Sequence, residues 1–253
     1  MILKKQLFTV NYSITNYDEA SDIIIEKALT HSSFGVTALA VHGLIESVKN
    51  TSFKNQVNSL DMIVPDGQPV KWALNSFYNV HLKERIAGPI LTKHVLAKAN
   101  EKSLSVYLYG STSATLEKMQ NVFAKTYPLI TVAGIHADRF RDATEEEDAE
   151  DIKKINESGA HLVLVGRGCP RQERWVFAHI GQINAPMMAV GAAFDFFAGN
   201  IKHAPRWMQN AGLEWLYRLV QDPKKLWKRY LSTNLHFVYL FILCKFGVRK
   251  VQF

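Results

Sequence analysis

The sequence predicts an α/β fold: a mostly parallel, Rossmann-like sheet flanked by helices, with a helical, basic C-terminal appendage. Short apolar runs alternate with helix-period segments along the chain, and no internal repeat or low-complexity stretch interrupts them. Alternation of this kind builds a parallel sheet covered by helices on both faces. The chain has 253 residues, 47% of them hydrophobic, enough to bury a full core. Its charge is unevenly placed. Of a net +7, the segment 196–253 holds ten Lys or Arg against Glu214 and Asp222, a net +8 that leaves −1 for the rest. The expected division is a core over 1–195 and an appendage over 196–253.

Runs at 36–41, 61–64, 104–109, 129–133, 161–165 and 187–190 are rich in β-branched and aliphatic residues and bounded by Gly, Pro or Asp, the pattern of short buried strands. Between them, 44–49, 68–77, 91–100, 114–125, 144–157 and 172–180 carry apolar residues at helical spacing. The acidic run 145–148 opens one of these helices, where carboxylates suit the N-terminal dipole, and is assigned no chemistry. Beyond residue 190, Trp207, Trp215 and Trp227 are interleaved with basic residues. The apolar stretch 232–246 is shorter than the roughly 20 residues of a membrane span and is interrupted by Lys245. Flanked by basic residues at 224–229 and at Arg249 and Lys250, it reads as an interfacial segment that buries Phe237, Tyr239, Leu240 and Phe241. A buried C-terminal helix or an oligomer contact is the alternative.

The N-terminus, MILKKQLFTVNYSIT, lacks an apolar stretch long enough for a signal peptide, so export is not expected. Cys169 and Cys244 fit no metal-ligand spacing and agree with a reducing compartment. A basic block attracts nucleic acid, anionic lipid or a diphosphate. No nucleic-acid reading module accompanies this one, which sets nucleic acid aside.

In open parallel sheets the ligand site lies beyond the carboxyl ends of the strands, which directs attention to three turns. Gly110 and Ser111 follow one predicted strand and open a helix, a geometry that either presents backbone N–H groups to a phosphate or is an ordinary Ser/Thr cap. Gly166 and Gly168, in GRGCPRQE, follow another; Arg171 and Gln172 at the succeeding helix start could reach a bound ligand, with Glu173 beside them. Asp66 leaves the apolar strand MIVP before Gly67. It either shapes an Asp-Gly turn or takes a proton from an attacking hydroxyl. No Asp-x-Asp pair occurs and the nine histidines show no zinc-like pairing, so no metal is expected and arginine forks are the substitute for neutralising a diphosphate.

Four blocks, in order, resemble one family. They are VPDGQPVKWA with ERIAG, VYLYGSTSATLEKMQ, VLVGRGCPRQERWV and GAAFDFFAGNIKHAPRWMQNAGLEWLYRL. Together they are similar to the WecG/TagA/CpsF bacterial glycosyltransferases, which build cell-surface polysaccharides and teichoic-acid linkage units on lipid carriers. The resemblance runs from about Gly35 to Tyr230. It implies an inverting, metal-independent transfer from a UDP-sugar to a polyprenyl-diphosphate-linked saccharide, with no cofactor. Asp66 is then the general base; Arg85 matches a family position, and Arg206, Arg218 and Arg229 match the arginines that complete the active site, Arg218 and Arg229 in catalytic roles.

The chain departs from the family pattern at several points. Ala40, Val41 and His42 stand where Thr-x-Asn is common, leaving His42 as the candidate sugar contact. His203 replaces an Arg, Ile90 an Asp, and Asp138 with Arg139 a Gly-Tyr pair. The donor sugar is therefore left as N-acetylmannosamine, its uronic acid, or glucose. The remaining expectations are an anionic membrane partner, a homo-oligomer as an option, and a cytoplasmic enzyme peripheral on the inner face of the plasma membrane. A nonenzymatic partner subunit is the rival class. A nucleotide-dependent oxidoreductase is disfavoured because no Gly-x-Gly-x-x-Gly follows the first strand.

Overall fold

The computed structural model describes residues 2–247. In chain order the elements are β1 (Lys4–Leu7), β2 (Val10–Ser13), α1 (Tyr17–Leu29), β3 (Phe34–Leu39), α2 (Val41–Lys49), α3 (Thr51–Asn58) and β4 (Met62–Pro65). There follow α4 (Gln68–Tyr78), α5 (Gly88–Glu101), β5 (Ser105–Gly110), α6 (Ser113–Thr126), β6 (Thr131–His136), α7 (Glu145–Glu157), β7 (Leu162–Gly166) and α8 (Arg171–His179). The chain continues through β8 (Pro186–Ala189), α9 (Ala193–Phe197), α10 (Arg206–Asn210), α11 (Glu214–Gln221) and α12 (Pro223–Lys245).

The α/β class expected from the alternation is what forms. Six strands make one sheet in the order β4-β3-β8-β7-β5-β6. Val36 lies opposite Met188, Val163 opposite Met187, Leu108 opposite Leu164 and Ile135 opposite Leu108, all in parallel register. Residues of β4, β5, β7 and β8 are buried almost throughout, which explains why they read as continuous apolar runs rather than alternating ones. All six predicted strands form, each shifted by at most two residues at either end except the edge strand β6, which extends to His136. The antiparallel pair β1–β2 was not anticipated, nor was α1. The signal for α1 was present in Tyr17, Ala20, Ser21, Ile24, Ile25 and Ala28, which are buried at helical spacing behind an acidic first turn.

The chain folds as two compact units of interleaved segments. One comprises the segment ending at Asn16, Ala38–Ala87 and the segment beginning at Ile201; the other comprises Tyr17–Thr37 and Gly88–Asn200. The C-terminal residues thus belong to the same unit as α2, α3, β4 and α4.

Within that first unit, α12 has two faces. Leu226, Thr233, Phe237 and Leu240 are buried, with Phe237 edge-on to Phe8 at 5.6 Å and Phe241 against Phe77 at 5.1 Å between ring centroids. Burial of Phe237 and Leu240 corrects the expected membrane-facing set, because those side chains fill the unit's own core. The opposite face is exposed and apolar: Trp227, Leu231, Leu235, Val238, Tyr239, Ile242 and Phe246 recur at three- and four-residue spacing. Lys224 and Lys228 stand at the N-terminal end of that face and Lys245 at its other end. The flanking Arg249 and Lys250 lie outside the described residues. No helix among the described residues is long and apolar enough to cross a membrane.

Candidate active site

In the second unit, the carboxyl ends of β5, β7 and β8 bring together the two glycine turns. Gly110 adopts φ +110°, and a Cβ there would lie 2.7 Å from the Gly166 carbonyl carbon. Only glycine lets the two strand ends meet so closely. Ser111 N–H donates to Gly166 O at 2.9 Å, and Asp138 N–H donates to Ser111 O at 2.9 Å. Thr112 caps α6, its hydroxyl accepting from Thr115 N–H, so the cap alternative for this turn is realised at Thr112.

Two arginines from the β7–α8 turn converge on Asp138. Arg171 donates to both its oxygens at 3.1 Å, and Arg167 approaches Oδ1 at 3.2 Å. Both guanidinium groups also donate to Arg141 O. Two permanent cations on one carboxylate leave an excess positive charge, held by planar forks suited to phosphate oxygens. Arg167 and Asp138 were not singled out as site residues. Arg167 lies inside the recognised block, whereas Asp138 is marked in the sequence only as a departure from the family pattern, and its partners lie 29 and 33 positions away.

Gln172 and Glu173 turn inward. Gln172 is 5% exposed and Glu173 1%. The Gln172 carbonyl oxygen accepts from Gly168 N–H at 3.1 Å, and its amide nitrogen donates to Glu173 Oε1 at 2.9 Å. Thr37 hydroxyl donates to the same Oε1 at 3.0 Å. Glu173, expected to touch substrate, thus faces Thr37 and Gln172 in the interior.

Burial pushes the Glu173 carboxyl up from the usual carboxylate range, against the opposing pull of the Gln172, Thr37 and Cys169 donors. The folded protein therefore holds this proton more tightly than the unfolded chain. Above about pH 4 the unfolded state releases it while the fold retains it, so stability is lost as pH rises toward the folded value. Glu173→Gln should consequently melt higher than wild type at pH 8, by roughly 2–4 °C for each kcal/mol removed, and the gain should vanish toward pH 4. Parallel melting curves across pH check this; a constant difference would mean that Glu173 is ionised in the fold.

A buried ionic and aromatic network supports the same strand ends. Asp151, 1% exposed, accepts from Tyr109 hydroxyl at 2.9 Å and from both Arg139 terminal nitrogens at 2.6 and 3.0 Å. Burial works to raise the Asp151 carboxyl, yet the Arg139 fork and the Tyr109 hydroxyl hold it below its ordinary value. Tyr109 stacks on His136 at 4.8 Å and on Trp175 at 4.3 Å. Burial lowers His136, which favours a neutral ring there. Arg139, noted in the sequence only as a departure, is thereby a ligand of Asp151.

In the first unit, β4 delivers Asp66 at its exit. Asp66 N–H donates to Leu39 O at 3.4 Å, and Ile86 N–H donates to Pro65 O at 2.9 Å, bringing the ERIAG segment alongside. Arg85 reaches Asp66 Oδ1 at 3.5 Å and, through its other terminal nitrogen, Glu214 Oε2. The three side chains are 21%, 12% and 16% exposed for Asp66, Arg85 and Glu214. They form a carboxylate–guanidinium–carboxylate array that is partly closed but still open to solvent.

Gly67, at φ +85°, caps α4. Gly212 seats α10 and α11 on that helix, since a Cβ there would lie 2.8 Å from the Trp72 ring. Glu214 was missed because its partner lies 129 positions away. Arg218 follows Glu214 by one turn on α11 and shares its face. Arg229, half-buried, lies over the Tyr230 ring at 5.4 Å. Arg206 opens α10 and is exposed. His42, in the first turn of α2, faces Glu46 Oε1 at 4.0 Å.

The model of the glycosyl transferase WecG/TagA/CpsF family matches residues 5–251. The chain belongs to that family. It is also 30% identical over 227 residues to the N-acetylglucosaminyldiphosphoundecaprenol N-acetyl-beta-D-mannosaminyltransferase of Bacillus subtilis, covering 88% of this chain and 84% of that one. Proteins of the same name resemble it in Bacillus spizizenii, at 32% identity over 79% of this chain and 75% of theirs, and in Staphylococcus aureus, at 30% over 78% and 74%.

As a WecG/TagA/CpsF protein it is a glycosyltransferase, and the reading as a nonenzymatic subunit falls away. VPDGQPVKWA and ERIAG supply the Asp66–Arg85 pair, GRGCPRQE supplies the arginine turn, and LEWLYR supplies Glu214 with Arg218 on one helix face.

Proposed function

We propose that this glycosyltransferase moves N-acetylmannosamine from UDP-N-acetylmannosamine to an N-acetylglucosaminyl-diphosphate carried on a polyprenol, with inversion. The transferred sugar and the acceptor follow the names of the relatives; the UDP carrier and the inversion are part of this reading, and the β linkage in those names is what a single displacement on an α-linked UDP-sugar would give. The observation that carries the chemistry is Asp66 at a strand exit, beside Arg85 and Glu214. Asp66 takes the acceptor hydroxyl proton as that oxygen attacks the anomeric carbon and the bond to UDP breaks. Arg85 orients the carboxylate.

The leaving diphosphate takes on negative charge, and the Arg167 and Arg171 forks are suited to meet it, exchanging Asp138 for phosphate oxygens. Transfer should then survive excess EDTA to within about twofold, since fixed guanidinium groups do not depend on a dissociable ion. The test is a donor panel of UDP-N-acetylmannosamine, its uronic acid and UDP-glucose with a lipid-diphosphate acceptor mimic, run with and without chelator and read by product mass. Failure of UDP-N-acetylmannosamine would overturn the donor. Activity that collapses in EDTA and returns with Mg²⁺ or Mn²⁺ would overturn the arginine assignment.

The same reading places the enzyme peripherally on an anionic membrane surface. The exposed apolar face of α12 with lysines at its ends supports this, because an interfacial helix buries such a face while its cations meet lipid headgroups.

A further inference from the structure

We propose that Glu173 is a positioning residue for the nucleotide-sugar: its buried carboxyl, shared by Thr37 and Gln172, holds the Gln172 amide in the orientation that pins the Gly168 turn. This rests on the reading that Arg167 and Arg171 receive the diphosphate.

An amide side chain can turn its oxygen and nitrogen either way, and its partners decide which way. Here the oxygen takes Gly168 N–H at 3.1 Å while the nitrogen donates to Glu173 Oε1 at 2.9 Å. Thr37 hydroxyl, donating to that same oxygen at 3.0 Å, ties the carboxyl to β3. The fit leaves no slack, because a Cβ on Gly191 would stand 2.7 Å from the Gln172 oxygen. Gly168 itself, at φ +76°, has open space around its missing Cβ, so the Gln172 contact is a restraint that packing does not duplicate. Gly168 sits one residue after Arg167 and three before Arg171, and a shift of the turn moves both forks. Burial raises the Glu173 carboxyl, which favours its uncharged form as the acceptor for both donors.

Calorimetric titration with UDP tests the assignment on a readout other than turnover. Glu173→Gln keeps the Oε1 acceptor and should bind UDP within about threefold of wild type. Glu173→Leu removes the acceptor and leaves Gln172 without its anchor; it should weaken UDP about tenfold and raise donor KM more than it lowers kcat. Its melting temperature should fall by several degrees, because the buried Thr37 hydroxyl and Gln172 amide lose their acceptor, so UDP binding is measured well below the melting transition.

Thr37→Val supplies a second variant that leaves the carboxyl in place, expected to weaken UDP by about threefold and to add nothing in the Glu173→Leu background. Folded Glu173→Leu and Thr37→Val variants that bind UDP as wild type does would overturn the positioning role while leaving the donor reading intact. A wild-type protein that ignores UDP would overturn both.

Discussion

Asp66→Asn should lose turnover by about 10²-fold or more while retaining its melting temperature and its affinity for UDP. The substitution is isosteric and removes only the group that accepts the proton. Arg85 keeps its second partner, Glu214, so the array should not open when the first carboxylate is neutralised. The 21% exposure of the Asp66 side chain makes an unfolded variant an unexpected outcome, since no large buried group is disturbed. Transfer to a lipid-diphosphate acceptor, UDP titration and thermal melting give the three readouts. Near-wild-type turnover at equal melting temperature would remove Asp66 from the mechanism. Glu214→Gln is the companion variant: if it abolishes turnover while Asp66→Asn does not, the base is Glu214, the other carboxylate on Arg85.

A second large effect is expected on the exposed face of α12. Leu235→Glu combined with Tyr239→Glu places two carboxylates on positions that are 63% and 59% exposed. Removing an apolar side chain from an interface forfeits about 1.5–3 kcal/mol, and each new carboxylate is repelled by an anionic leaflet. The partition onto anionic vesicles, read by co-sedimentation, should fall by roughly a hundredfold or more. Transfer to a long-chain lipid acceptor should slow with it, whereas transfer to a short soluble acceptor should be nearly unchanged.

A pair of surface substitutions is a sharper tool here than truncation at residue 232. Truncation would strip Thr233, Phe237 and Leu240 from the core and bare Phe8 and Phe77, and loss of a buried aromatic alone costs about 3–5 kcal/mol. If the double variant still binds vesicles like wild type, the stripe is covered by protein. Light scattering of both proteins would then show the copy that covers it.

The sequence by itself determined the fold class and the approximate place of every strand of the main sheet, because buried parallel strands must be apolar and the helices between them periodic. It also determined Asp66 and the GRGCPRQE turn as candidates, since each follows a strand at the end where ligands gather, whereas Arg85 came only from the family resemblance of ERIAG. Tertiary structure alone decided the partners. Asp138 meets Arg167 and Arg171, Glu214 meets Arg85, and Thr37 meets Glu173 across 136 positions, contacts that no local pattern encodes. It also decided which side of α12 is core. Residues 232–246 are apolar around much of the helix, so periodicity could not choose a face; Phe8 and Phe77, remote in sequence, chose it by packing on Phe237 and Phe241. The choice is physical: both faces gain by leaving water, and the one that finds close-packed partners within its own chain is the one that is buried.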